Sequence, residues 1–154
     1  MNKRAFLIIN ANNMAWYDTQ PRKLYHSDLG IPQNAQIQHG QMLLDYSQHA
    51  LDASLDDRYG NIVNLPKTLD TSKAQVIEVE MQGSKTTKVV YRIPYNEEYD
   101  LIMVLIPDRR FVKTVWLNQK NDLHNTLDES KYDIPETLQE NEAVASVQPY
   151  FTKS

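Results

Sequence analysis

Histidine and basic side chains are the residues of this chain best suited to chemistry, and cysteine is absent. RNA cleavage through the substrate's own 2′-hydroxyl needs only a base, an acid and cations that stabilise the developing phosphorane charge. Histidine can transfer protons near neutral pH. We therefore take His124 and His49 as candidate acid–base residues and Arg92 as a third candidate catalytic residue.

A second set of polar and basic side chains falls on strand-like stretches of the sequence. Trp116 offers a flat surface on which a nucleotide base can stack, and Thr114 and Asn118 share its face of the strand. The full set of candidate RNA-binding residues is Lys88, Arg109, Arg110, Lys113, Thr114, Trp116 and Asn118. Three alternatives stay open: Lys88 could pair with Glu78 across a hairpin, Trp116 could be a core residue, and His124 could be a surface residue.

The sequence contains few of the patterns that bind metal ions or nucleotides. The four histidines are scattered, and no HExxH motif or calcium-binding loop occurs. His49 shares a predicted helix face with Asp45, Asp52 and Asp56, which could hold a divalent ion, although a solvated acidic face is the commoner meaning of such a pattern. No phosphate-binding glycine loop is present. We predict neither a metal nor a cofactor.

Composition limits the partners and the compartment. The chain has 154 residues, 41% of them hydrophobic and 23% charged, which is typical of a globular domain. Its formal net charge of −4 provides no global field for RNA, so an RNA site must be a local patch. No stretch has the length of a membrane span, and the apolar run Ala5–Ile9 is too short for a signal peptide. With no cysteine, we predict a cytoplasmic protein without membrane contact.

The strongest helix pattern covers residues 41–58. Leu44, Leu51 and Leu55 recur at helical spacing and predict the buried stripe, while Gly60 is a plausible terminator. Four strand-like runs then follow within residues 75–118. The unbroken apolar run Leu101–Ile106 indicates a central strand that is buried on both faces.

Short gaps between these runs favour hairpins. The predicted fold class is therefore α+β, with one main helix followed by a four-stranded antiparallel meander. We predict a single domain over residues 1–154. It comprises an N-terminal strand at 5–9 and an irregular segment within 1–38, a core of helix and meander at 39–132, and an acidic tail at 133–154 with a short helix near 136–144.

The helix also carries a family resemblance. Tyr46–Asp52 followed by Arg58-Tyr59-Gly60 resembles the pattern S-x-H-A-x-x-x-x-x-x-x-R-x-G of small RelE-superfamily proteins, which include phage endoribonucleases that cut early messages (RegB-like). The resemblance covers about residues 41–118 and implies a RelE-like fold, with the catalytic histidine of those enzymes carried over to His49. Their second catalytic histidine has no counterpart near residues 67–70, so His124 would replace it.

Together these features predict a small metal-independent endoribonuclease of the phage or toxin type, with RNA as its partner. The alternative is a non-catalytic inhibitor or adaptor that binds a host protein, which the acidic balance of the chain favours. The two are distinguished by whether Arg92, His124 and Thr114 converge in one cleft.

Overall fold

The computed structural model describes residues 16–122, 128–132 and 134. Their regular elements, in chain order, are β1 (Arg22–His26), β2 (Gln41–Leu43), β3 (Asp45–Tyr46), α1 (Gln48–Ser54), β4 (Thr68–Asp70), β5 (Gln75–Gln82), β6 (Lys85–Pro94), β7 (Tyr99–Ile106) and β8 (Phe111–Gln119). The predicted strand at residues 5–9, the predicted tail helix and His124 lie outside the described residues. No described helix has both the length and the apolar character needed to cross a membrane.

The main sheet has six strands in the order β1-β5-β6-β7-β8-β3, and β2 pairs with β4 in a separate two-stranded sheet. Strands β5 to β8 form consecutive antiparallel pairs. β1 pairs antiparallel with β5 at one edge, and β3 pairs parallel with β8 at the other. The predicted fold class is therefore wrong. The sheet has six strands and contains both antiparallel and parallel pairs, because β1 and β3, which precede α1 in the chain, form its two edges.

The four strand-like runs within residues 75–118 are confirmed as β5 to β8. β7 lies between β6 and β8, and its residues from Leu101 to Leu105 are all buried. One face of the sheet packs into the main core with Val79, Tyr91 and Met103, and the other buries Val90 and Ile102. Because both faces are covered, β7 is apolar without alternation.

The predicted helix over residues 41–58 is wrong in extent. Residues 41–43 and 45–46 are strands, and α1 begins only after Ser47, whose Oγ accepts a hydrogen bond from the Ala50 N–H at 2.9 Å. The helix ends at Ser54, well before the predicted terminator Gly60. A serine side chain that bonds the N–H three residues on is a strong start signal, and here it overrides the longer apolar pattern.

The predicted buried stripe is wrong for two of its three leucines. Leu44 is buried, but Leu51 and Leu55 are 39% and 64% exposed. The small residues Ala50 and Ser54 instead face the core. Their size lets α1 lie close to β8, with which it makes its main tertiary contacts. Leu51 and Leu55 are therefore left on the solvent side.

Substitutions in α1 should reflect this orientation. Ala50→Leu should lower the free energy of unfolding by about 1–3 kcal/mol, because a larger side chain cannot fit where Ala50 is fully buried. Leu51→Ala should cost about 1 kcal/mol or less, as expected for a partly exposed side chain. Urea unfolding of the two variants measures both values. A larger loss for Leu51→Ala than for Ala50→Leu would contradict the observed orientation.

Candidate functional site

A groove of about 620 Å³ runs between α1 and the outer edge of β8. We call it the His49 groove. Its lining residues are His49, Asp52, Ala53, Asp56, Asp57, Arg58, Val115 and Trp116. His49 and Trp116, which the sequence nominated for proton transfer and for base stacking, therefore face the same space.

Ser47 fixes the helix end of the groove. Its backbone N–H donates to the Val112 carbonyl at 3.0 Å, and its Oγ donates to the Lys113 carbonyl at 2.8 Å while accepting from the Ala50 N–H. One residue thus starts the helix and attaches it to β8. His49, two residues further on, is held beside that strand while its side chain stays exposed.

Asp57 fixes the opposite end. One carboxylate oxygen accepts from the Leu117 N–H and the other from the Tyr59 N–H, each at 3.0 Å. Both oxygens are therefore occupied by the backbone, and Asp57 has a structural role. The Leu117 N–H points away from β7, so this edge of β8 faces the groove.

Arg58 lies at the rim of the groove. Its guanidinium carbon is 4.8 Å from the centre of the Tyr59 ring, and Tyr59 stacks on Tyr99 with ring centres 4.8 Å apart. The exposed guanidinium of Arg58 is therefore held against a stacked pair of tyrosine rings. Three carboxylates, Asp52, Asp56 and Asp57, line the groove together with Arg58, so its lining has an excess of negative charge.

Arg92 is not in the His49 groove. Its side chain is 6% exposed and donates to the Asp100 carboxylate at 2.7 Å, to the Asp122 carbonyl at 2.6 Å and to the Gln119 carbonyl at 2.9 Å. A further, longer bond reaches the Lys120 carbonyl. Because these acceptors occupy the guanidinium, Arg92 clamps the turn that follows β8 and does not present its charge to a phosphate.

Two neighbours complete what we call the Arg92 clamp. The Lys120 ammonium lies 2.6 Å from the second Asp100 oxygen, and the Asn118 side-chain amide donates to the Asp122 carbonyl at 3.1 Å. Burial alone would raise the pKa of Asp100. The hydrogen bonds and charges of Lys120 and Arg92 outweigh that effect and hold the pKa of Asp100 below its ordinary value.

The lowered pKa of Asp100 predicts an acid-sensitive fold. A carboxylate whose pKa is lower in the folded than in the unfolded chain stabilises the fold above the unfolded value of about 3.9, and this stabilisation is lost as pH falls through the folded value. Asp100→Asn should therefore lose less stability between neutral pH and about pH 3 than the wild type does. Urea unfolding across that range measures the difference. The exposed-carboxylate variant Glu97→Gln is the control and should keep the wild-type slope.

The other nominated basic residues fall into two groups. Lys88 is paired, with its ammonium 2.9 Å from Glu78, and Tyr132 donates to the other oxygen of that carboxylate. The alternative that Lys88 pairs with Glu78 is therefore observed, although the residue directly opposite Lys88 in the pairing of β5 with β6 is Glu80. Exposed cations lie at the turn before β8 and at its start: Arg109, Arg110 and Lys113.

Thr114, Trp116 and Asn118 lie opposite Val104, Ile102 and Asp100 of β7 and share one face of β8. Trp116 packs against the apolar cluster of that face and also lines the His49 groove, and its use as a stacking surface stays a prediction. Asn118 is buried and belongs to the Arg92 clamp. His49 and Trp116 thus line one groove, whereas Arg92 and Lys88 are bound to carboxylates and do not line it.

Sequence reasoning did not nominate Asp57 and Arg58 as site residues. Both fell inside the predicted helix over residues 41–58. The signal that could have found Arg58 is its place in the segment that resembles the RegB-like pattern, which also contains Ser47 and His49. Among the described residues, no group of three or more histidine, aspartate and glutamate side chains is arranged to hold a metal ion.

Comparisons of the chain with models of protein families, with curated proteins and with solved structures found no match.

Proposed function

We propose that this chain is a metal-independent endoribonuclease that cleaves RNA by attack of the 2′-hydroxyl, with the reaction centred on the His49 groove. The observation that supports the proposal is that His49, Arg58 and Trp116 line one groove. These side chains provide a proton-transfer group, a cation and an aromatic surface, which match the needs of the reaction. The resemblance of the helix motif to RegB-like enzymes stays a prediction, and it points to the same histidine.

In the proposed reaction His49 accepts the proton of the 2′-hydroxyl as the oxygen attacks phosphorus. The bond to the 5′-oxygen breaks, and a general acid protonates that leaving oxygen, which yields a 2′,3′-cyclic phosphate and a free 5′-hydroxyl. We propose His124 for the acid, as the other histidine that the sequence nominates for proton transfer.

The cations proposed to contact the RNA backbone are Arg58 at the groove and Arg109, Arg110 and Lys113 near the start of β8. Trp116 would stack on a base, with Thr114 on the same strand face. Since the groove itself is acidic, binding should depend on these surrounding cations and weaken steeply with added salt. A cytoplasmic location is part of this proposal and is supported by the absence of cysteine.

The test is incubation of the purified protein with end-labelled RNA, with and without EDTA, beside an all-deoxy strand of the same sequence. We expect cleavage of RNA in both conditions, cyclic phosphate ends and an intact deoxy strand. His124→Ala should remove most of the activity, by about 10²–10⁴-fold. Loss of cleavage in EDTA or cleavage of the deoxy strand would contradict the mechanism.

The second candidate is a non-catalytic protein that binds a host protein. The observation that favours it is the charge of the groove, where three carboxylates face a single arginine, together with the neutralisation of Lys88 and Arg92 by carboxylates. Such a surface repels phosphate and attracts basic protein segments. If the wild-type protein leaves RNA untouched in the assay above, this candidate replaces the first.

A further inference from the structure

Two exposed leucines lie at α1, each one residue before an aspartate of the His49 groove. Leu51 is in the helix and Leu55 is the residue that directly follows its last turn; they lie four residues apart and are 39% and 64% exposed. Only four large hydrophobic side chains are exposed in the part of the chain that the structure describes, and these are two of them. Val63, another of the four, is 74% exposed. We call Leu51 and Leu55 the leucine face; Val63 lies on the segment that returns to the end of α1.

The backbone holds the leucine face in place. The Ile62 N–H donates to the Ser54 carbonyl at 2.7 Å, which returns the chain to the end of α1 immediately before Val63. The Val63 N–H in turn donates to the Tyr95 hydroxyl at 3.2 Å. The apolar side chains are therefore presented on a fixed backbone, and a partner would not have to order them on binding.

Charge beside the leucine face selects the partner. Asp52 and Asp56 follow Leu51 and Leu55 by one residue each, and both are exposed. A second copy of the chain docked symmetrically here would bring these like charges together, which costs several kcal/mol at an interface. A segment that carries lysine or arginine beside apolar side chains would pack its apolar side chains on the leucines and pair its charges with the aspartates.

We infer that the leucine face with Asp52 and Asp56 is a docking surface for a cationic, amphipathic segment of a partner protein. The same two aspartates line the His49 groove, so a docked segment covers the mouth of the groove. This consequence rests on the proposed function: if the groove binds RNA, the partner acts as an inhibitor that competes with it. The docking itself does not depend on catalysis.

The probe for the test is a synthetic amphipathic peptide of leucine and lysine, compared with a peptide in which glutamate replaces every lysine. Isothermal titration calorimetry should show binding of the lysine peptide only. The double variant Leu51→Ser/Leu55→Ser should weaken this binding at least about 10-fold, because it removes both apolar anchors. Leu43→Ser, which changes a 70% exposed leucine on β2, is the matched control and should bind as the wild type does.

Leu55→Ser alone, at the more exposed of the two positions, provides a second variant if the double variant fails to fold, and it should weaken the lysine peptide in the same direction. Equal binding of both peptides would overturn the inference, and so would unchanged affinity in the leucine variants. Sedimentation adds another outcome that would overturn it: a wild-type dimer that the double variant dissociates would show that a second copy occupies the face.

RNA cleavage separates failure of the docking surface from failure of the proposed function. In the wild type, the lysine peptide should inhibit cleavage, and Leu51→Ser/Leu55→Ser should cleave normally but resist inhibition. His49→Ala should lose cleavage and still bind the peptide. If the protein binds the peptide but does not cleave RNA, only the nuclease proposal is contradicted. If it cleaves RNA but the leucine substitutions leave peptide binding unchanged, only the docking surface is contradicted.

Discussion

Replacement of His49 by alanine should lower the rate of RNA cleavage by about 10²–10⁴-fold, as is typical when a general acid or base is removed. The side chain is exposed and lies in the His49 groove, so the fold should survive the change. RNA affinity should change little, because the imidazole acts on the proton and not on the phosphate charge. Single-turnover cleavage, with binding measured separately, gives the two quantities.

His39→Ala is the matched control for this prediction, because His39 is also exposed but precedes β2 and does not line the groove. Its cleavage rate should equal that of the wild type. An active His49→Ala protein would remove His49 from the mechanism.

Replacement of Arg92 by leucine should lower the free energy of unfolding by about 3–5 kcal/mol, the usual cost of removing one partner from a buried ion pair. The change leaves the Asp100 carboxylate with Lys120 and removes one donor from each of the carbonyls of Gln119 and Asp122, which keep their bonds from the Asp122 N–H and the Asn118 amide. Urea unfolding measures the loss. Because Arg92 is 6% exposed, little solvent is available to replace its bonds.

Arg22→Leu is the control for Arg92→Leu. Arg22 also pairs with a carboxylate, that of Glu80 at 3.1 Å, but its side chain is 61% exposed, so the loss should be about 1 kcal/mol or less. The comparison also tests the original nomination of Arg92 as a catalytic cation. A variant of wild-type stability that fails to cleave RNA would support direct contact with phosphate and would contradict the structural role of the clamp.

The sequence alone was sufficient for the strands from β5 to β8. Alternation in β5 and β6 and the unbroken run Leu101–Ile106 are local patterns, and each is long enough to distinguish a strand from a helix. The edge strand β3 was missed because it has only two residues, and β1 because its sequence, Arg-Lys-Leu-Tyr-His, has neither an apolar run nor a regular alternation. Their pairing with β5 and β8 depends on tertiary contacts.

The error in α1 has a similar cause. Leu44, Leu51 and Leu55 repeat at helical spacing, but spacing does not say which face of a helix meets the sheet. Tertiary packing decided this, because small residues at Ala50 and Ser54 allow the helix to lie against β8. Ser47 lay inside the predicted helix and was not identified as its start, and its bonds to Val112 and Lys113 exist only once β8 is in place.

The candidate site divides in the same way. Residue type and motif were enough to nominate His49 and Trp116, because proton transfer and stacking are properties of single side chains. That these two share a groove with Arg58 was settled by the docking of α1 beside β8. Arg92 was nominated for its charge, but its acceptors are a carboxylate on β7 and carbonyls about 30 residues away in the turn after β8. Whether a charge is free or already bound depends on these long-range contacts, which a local sequence pattern does not encode.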